Sequence, residues 1–151
     1  MKKVNKIFSL IVKQLNEQKV CPIIYGSYGL YLKTGWDGKI NDLDFIINQP
    51  KDFDVCKNIL LKNGFKIDPD HERELIKDDF YVSFIDKKDI EKLISEPLKF
   101  SEENIDGYKF YNIDIKQYHK IYVNGLKNKY RKERSEKDDL EKIKYIKKEL
   151  K

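Results

Sequence analysis

The chain has 151 residues, 40% of them hydrophobic and 13% aromatic, which is the length of one domain with enough apolar material for a real core. Charged residues make up 38%, so the outside is heavily solvated, and disorder of the whole chain is excluded. The net charge of +5 is unevenly placed: residues 126–151 hold 11 Lys or Arg against 6 Asp or Glu, whereas residues 1–125 hold 20 of each. A basic end beside a neutral body can attract phosphates or a polyanion, and a solvated helix face is the plainer account of it. No apolar run approaches the ~20 residues that span a bilayer, and the opening Met1-Lys2-Lys3-Val4 leads into no signal-peptide core. A cytoplasmic protein without membrane contact is expected. Cys21 and Cys56 lie far apart in unlike settings, so neither a disulfide framework nor a zinc pair is suggested.

Val4, Ile7, Phe8, Ile11 and Leu15 recur at steps of three and four, which predicts an amphipathic helix over about 3–18. Val20 to Tyr25 is a short apolar run ending at Gly26-Ser27 and reads as a buried strand whose Pro22 keeps to its start. A short helix over Tyr28–Gly35 is closed by its glycine, and Trp36-Asp37-Gly38-Lys39 is turn chemistry leading into a strand over Ile40–Ile47. Pro50 to Asn63 predicts a helix that starts at proline and stops at Gly64. Phe65–Ile67 can pair as a strand, and Arg73–Ile76, a Lys77-Asp78-Asp79 turn and Phe80–Ile85 suggest a hairpin. A helix over Lys88–Ser95 and a strand over Tyr108–Ile113 follow. Asp114 can cap a helix carrying Ile115, Tyr118, Ile121 and Tyr122, which Asn124-Gly125 interrupts. Ser135-Glu136-Lys137-Asp138 reads as the N-terminal cap of a last helix whose stripe is Leu140, Ile143, Ile146 and Leu150. The expected fold is α+β: a single domain with a small mixed sheet flanked by helices, its core in about 1–113 and a helical segment over about 114–151.

The run Asp42-Leu43-Asp44 carries the chemistry, because residues two apart on a strand share a face. Two carboxylates aimed at one place repel unless something positive joins them, and their hard oxygens suit magnesium. Gly26 lets the backbone approach a phosphate closely, and Ser27 adds a hydroxyl where the following helix presents free N–H groups. A magnesium–phosphate site is therefore expected between Gly26-Ser27 and Asp42, Asp44.

Over Ile23–Ile47 these residues resemble the nucleotidyltransferase superfamily typified by DNA polymerase beta, whose signature is Gly-Ser, a short helix and Asp-x-Asp among apolar residues. The Gly64-Phe65 turn, the later hairpin and Lys137-Asp138-Asp139-Leu140 look like small bacterial members of the lincosamide, minimal and abortive-infection types. The resemblance implies that Gly26 and Ser27 hold a nucleoside triphosphate, that Asp42 and Asp44 bind one or two Mg2+ ions, and that an NMP, AMP first, passes to a hydroxyl acceptor. That acceptor is a small molecule, a protein or an RNA. Lys120 and Lys127, on C-terminal helices, are in the region from which basic residues reach the triphosphate.

Active members carry a third carboxylate on a later strand, and the matching run here, Val82-Ser83-Phe84-Ile85, has serine in that place. A neutral hydroxyl is neither a strong magnesium ligand nor a base at neutral pH. Glu74 on the facing hairpin arm is the better substitute, with Asp86 behind it and outright absence also open. The rival to an enzyme is therefore a degenerate scaffold that binds nucleotide, RNA or a protein partner. Tyr25, Tyr28 and Tyr31 surround the phosphate turn and can stack on a base or belong to the core. His71 sits in a polar loop and is expected to be solvated. RNA binding through residues 126–151 and a homodimer that supplies a second cleft wall are the remaining expectations.

Overall fold

The computed structural model of the chain describes residues 1–127 and 129–151, with side chains over 1–127 and 137–151. The elements in order are α1 (Lys2–Glu17), β1 (Ile23–Tyr25), α2 (Gly26–Thr34), β2 (Asp42–Ile47), α3 (Pro50–Lys62), β3 (Lys66–Asp68), β4 (His71–Lys77), β5 (Phe80–Asp86), α4 (Lys87–Ile94), β6 (Phe100–Ile105), β7 (Tyr108–Ile113), α5 (Ile115–Gly125) and α6 (Lys129–Glu149). The seven strands form one mixed sheet in the order β3-β4-β5-β2-β1-β7-β6. β2 lies at its centre, antiparallel to β1 and parallel to β5. Among the described residues no helix is long and apolar enough to cross a membrane.

The alternation of β2 divides the molecule. Leu43, Phe45 and Ile47 face the core under α1 and α3, where Phe8 of α1 stacks on Phe45 at 6.1 Å and meets Phe110 edge-on at 5.0 Å. Asp42 and Asp44 project from the other face, toward the side of the sheet that α4 and α5 cover. The strand that carries charge is thus held by burial of its alternate residues, which costs the carboxylates nothing.

Several boundaries depart from the sequence expectation. β6 has no apolar alternation, and it forms because it pairs along its whole length with β7 across the Asp106-Gly107 turn, where both residues have positive φ (51° and 83°). As an edge strand its Glu102 and Glu103 also discourage further pairing. His71 is not in a loop: it opens β4 and pairs with Asp68, while remaining exposed. α6 begins at Lys129, so Ser135-Glu136-Lys137-Asp138 is helix interior rather than an N-terminus; the side chains of Ser135 and Glu136 lie outside the described residues. Of the expected stripe of α6, Ile143 and Ile146 are buried, whereas Leu140 and Leu150 are exposed and Asp139 and Lys142 are buried instead.

Asn112 ties the short helix α2 into the fold. Its side-chain amide donates to the Gly29 carbonyl at 3.0 Å, and its Oδ1 accepts from the Tyr118 hydroxyl at 2.6 Å. A Cβ on Gly29 would stand 2.1 Å from that hydroxyl, so only glycine allows α2 and α5 to approach this closely. Burial pushes the Tyr118 phenol well above its usual range, which keeps it a neutral donor. These contacts fix the helix whose first residues are Gly26 and Ser27.

Candidate active site

One cleft of about 750 Å³ is lined by Gly26, Ser27, Asp42, Asp44, Glu74, Ser83 and Lys142, with Ile90 and Leu93 of α4 and Ile121 of α5 forming an apolar wall. The polar end is assembled by strand register. Tyr25 on β1 stands opposite Asp44 on β2, Asp44 opposite Ser83 on β5, and Ser83 opposite Glu74 on β4. Directly opposed residues share a face, with Cβ atoms about 5 Å apart, so Asp44, Ser83 and Glu74 form one row across three strands. Asp42 is two residues along β2 from Asp44 on that same face.

Gly26 begins α2 with φ +70°, and a Cβ there would fall 2.3 Å from Asp44 Oδ2. The backbone of the turn therefore rests against the carboxylate, which brings the anion-binding helix N-terminus and Asp44 to one point. Gly26→Ala should be more damaging than Gly35→Ala. Both positions have positive φ, but nothing lies within 4 Å of a Cβ at Gly35. Gly35→Ala is expected to cost about 1 kcal/mol of backbone strain; Gly26→Ala adds the collision with Asp44, and the difference in urea midpoints reads that collision alone.

The sequence expectation and the structure part over the basic group. Lys120 does not line the cleft: it is ion-paired to Glu96 and holds that carboxyl below its usual range. Lys127 is exposed and also outside the cleft. Among the described residues, the lysine that donates to the Gly26-Ser27 turn is Lys142 of α6, whose Nζ donates to Ser27 Oγ at 2.8 Å. Its ammonium lies 4.7 Å from the Trp36 ring centroid, 5.0 Å from that of Tyr122 and 3.9 Å from Asp139 Oδ1. Only 6% of Lys142 is exposed, so a desolvated cation is held by two aromatic faces and a carboxylate beside Ser27. Its signal in the sequence was the helical spacing Asp139, Lys142, Ile143, Ile146, which puts two charged residues in a buried stripe.

Other candidates have different roles. Tyr28 is core: it is 1% exposed, packs on Phe8 at 4.9 Å and donates its hydroxyl to Asn5 Oδ1 at 2.6 Å. Tyr25 does line the cleft. Asp86 is held by Arg73 at 3.3 Å, and Arg73 lies over the Phe53 ring, so Asp86 is committed outside the row. Cys56 is buried, and burial pushes its thiol up to about 12; Cys21 is also raised, chiefly by burial. Neither lines the cleft.

Among the described residues no three His, Cys, Asp or Glu side chains gather as in a closed metal site. The donor set of Asp42 and Asp44 instead suits an open arrangement, since magnesium is commonly held by one or two carboxylates together with phosphate oxygens and water. The opening of α2 at Gly26-Ser27, with its free N–H groups, lies beside these carboxylates.

No family model matches the chain. It is 28% identical over 154 residues to the Bacillus subtilis (strain 168) protein named uncharacterized protein YnaI, covering 98% of this chain and 97% of that one. Its structure is similar to that of an antigenic nucleotidyltransferase-like protein from Paracoccidioides brasiliensis, with a TM-score of 0.63 and 15% sequence identity over 96% of this chain and 75% of the other. At that identity the likeness is one of architecture: the chain has a nucleotidyltransferase-like α+β fold.

Proposed function

We propose that the chain is a magnesium-dependent nucleotidyltransferase that transfers a nucleoside monophosphate, AMP in the first instance, from a triphosphate to a hydroxyl acceptor. The observation that supports this most strongly is the contact of Gly26 with Asp44, which joins a helix N-terminus to a paired-carboxylate strand in a fold of the matching kind. The N–H groups opening α2, the Ser27 hydroxyl and the Lys142 ammonium bind the triphosphate and neutralise the charge that moves onto the leaving pyrophosphate. Asp42 and Asp44 hold the metal, which when bound polarises the α-phosphate. The acceptor oxygen bonds to the α-phosphorus, the bond to the β-phosphate oxygen breaks, and Glu74 takes the hydroxyl proton. Calorimetric titration of ATP and GTP with Mg2+ and with chelator tests the reading: binding that requires the metal supports it, and no binding in any condition overturns it.

Ser83 favours a second reading, a scaffold that binds nucleotide but has lost its third acid. Ser83→Asp would place a carboxylate directly between Asp44 and Glu74. Like charges opposed across strands are destabilising, by roughly 1 kcal/mol, so the variant should melt lower in chelator and recover in Mg2+. If transfer of label from an α-labelled NTP rises at least about tenfold (about 1.4 kcal/mol), the natural chain lacks its third ligand. If existing transfer is lost, Ser83 is part of a working site.

A further inference from the structure

The phosphate and metal chemistry uses only one half of the cleft. Its polar end is the row of Asp44, Ser83 and Glu74, and Ile85, two residues beyond Ser83 on the same face of β5, begins an apolar end about 7 Å further along the strand. Two helix faces wall that end. Ile90 and Leu93 lie three apart on α4, Ile121 and Asn124 lie three apart on α5, and all four line the cleft. Leu93 is 45% exposed although Ile90 on the same face is buried, so apolar surface stands uncovered inside a cavity. Asn124 is polar, and the orientation of its amide is fixed. The Leu93 carbonyl is among the last four of α4, which have no partner within the helix, and the Asn124 amide meets it at 3.0 Å. A carbonyl only accepts, so the amide atom turned to Leu93 is Nδ2 and Oδ1 is left as an acceptor on the cleft wall. Among the described residues nothing donates to that Oδ1.

We infer that the apolar end holds the nucleobase of the triphosphate and that Asn124 selects it: Oδ1 accepts from an exocyclic amine, so adenine or cytosine is taken and a base with a carbonyl in that place is refused. The inference rests on the reading of the cleft as a nucleoside triphosphate site, and it assigns the part of that substrate which the polar end does not read. Continuity argues for this occupant. One cavity of about 750 Å³ joins the phosphate turn to the apolar wall, within the range of ligand pockets, about 300–1,000 Å³, and a ribose spans the step along β5 between them. A base is apolar on its faces and polar at its edge, which suits a wall of Ile90, Leu93 and Ile121 with a single amide beside them. A carbonyl on the base would set its oxygen against Oδ1, acceptor to acceptor, and leave both unpaired. Turning the amide over to serve it would break the bond to the Leu93 carbonyl and put Oδ1 against that carbonyl instead.

Calorimetric titration of ATP, ITP, CTP and UTP into the full chain with Mg2+ tests this. ATP and ITP share every phosphate and sugar contact and differ where an amine on the purine is replaced by a carbonyl; CTP and UTP differ in the same way on the pyrimidine. ATP should bind about tenfold more tightly than ITP, and CTP than UTP, the scale of one hydrogen bond exchanged for an unpaired acceptor. Asn124→Ala should bring both ratios to about one, chiefly through loss of affinity for ATP and CTP. The parent's own ratios need no variant, so they stand whatever the loss of the Leu93 contact does to α5. Leu93→Ala trims an exposed side chain and keeps the backbone carbonyl that anchors Asn124, so it should weaken all four nucleotides by a similar factor and preserve both ratios. Equal affinity for amino and keto bases in the parent, a preference that survives in Asn124→Ala, or unchanged affinities in Leu93→Ala would each overturn the inference. In those outcomes the triphosphate still binds with its metal and the reading of the polar end stands, whereas no binding of any of the four overturns both.

Discussion

Asp44→Asn should abolish magnesium-dependent binding of ATP and lower transfer by at least about 10²- to 10³-fold, the scale on which loss of one electrostatic group at a reacting centre is felt. Asparagine keeps the shape of the side chain, so the packing against Gly26 survives. What disappears is the negative charge, and with it one half of a two-carboxylate donor set. The fold should not suffer, because the register that holds β2 depends on Leu43, Phe45 and Ile47, each no more than 4% exposed. The melting temperature in chelator should therefore stay close to that of the parent. Calorimetry on the variant beside the parent, with melting curves in chelator and in Mg2+, reads both effects. Parental affinity for Mg2+-ATP in Asp44→Asn would place the nucleotide elsewhere.

How far the site could be read from the sequence depends on the range over which each part is specified. Gly26, Ser27, Asp42 and Asp44 were legible because a strand-turn-helix and a two-residue alternation are local, and the cleft contains all four. Glu74 was an inference from hairpin geometry, and the pairing of Glu74 with Ser83 puts it in the row. Nothing local says that β5 lies parallel to β2, yet that pairing is what brings Ser83 beside Asp44. β6 escaped for a related reason: Phe-Ser-Glu-Glu-Asn-Ile has no strand periodicity, and its partner β7 imposes the conformation. The choice of lysine failed because lysines abound. Lys120 and Lys142 both sit on C-terminal helices, and what separates them is the face each presents: one meets Glu96 near the surface, the other passes between Trp36 and Tyr122. That distinction follows from packing of α6 on α2 and α5, a contact between segments more than a hundred residues apart in the case of Ser27 and Lys142.

Lys142→Met separates the two things that this lysine does. Methionine has a similar length and can keep the contacts with Trp36 and Tyr122, but Asp139, which is fully buried, then loses a cation 3.9 Å away. Removing one member of a buried pair costs about 3–5 kcal/mol, and the long separation here argues for the lower end, about 3 kcal/mol. Asp139→Asn in the same chain removes the buried charge that has lost this cation, so the double variant should recover part of that loss. Nucleotide binding should behave differently. Both variants lack the Lys142 ammonium at Ser27, so both should bind Mg2+-ATP at least about tenfold more weakly than the parent, the scale of one charge-assisted contact. Urea denaturation and calorimetry on the parent, the two single variants and the double variant close the cycle. Stability restored in the double variant with affinity still lost would assign Lys142 to the phosphates as well as to the fold. Affinity that returned together with stability would make it a structural residue alone, and the triphosphate would then depend on the opening of α2 and on Ser27.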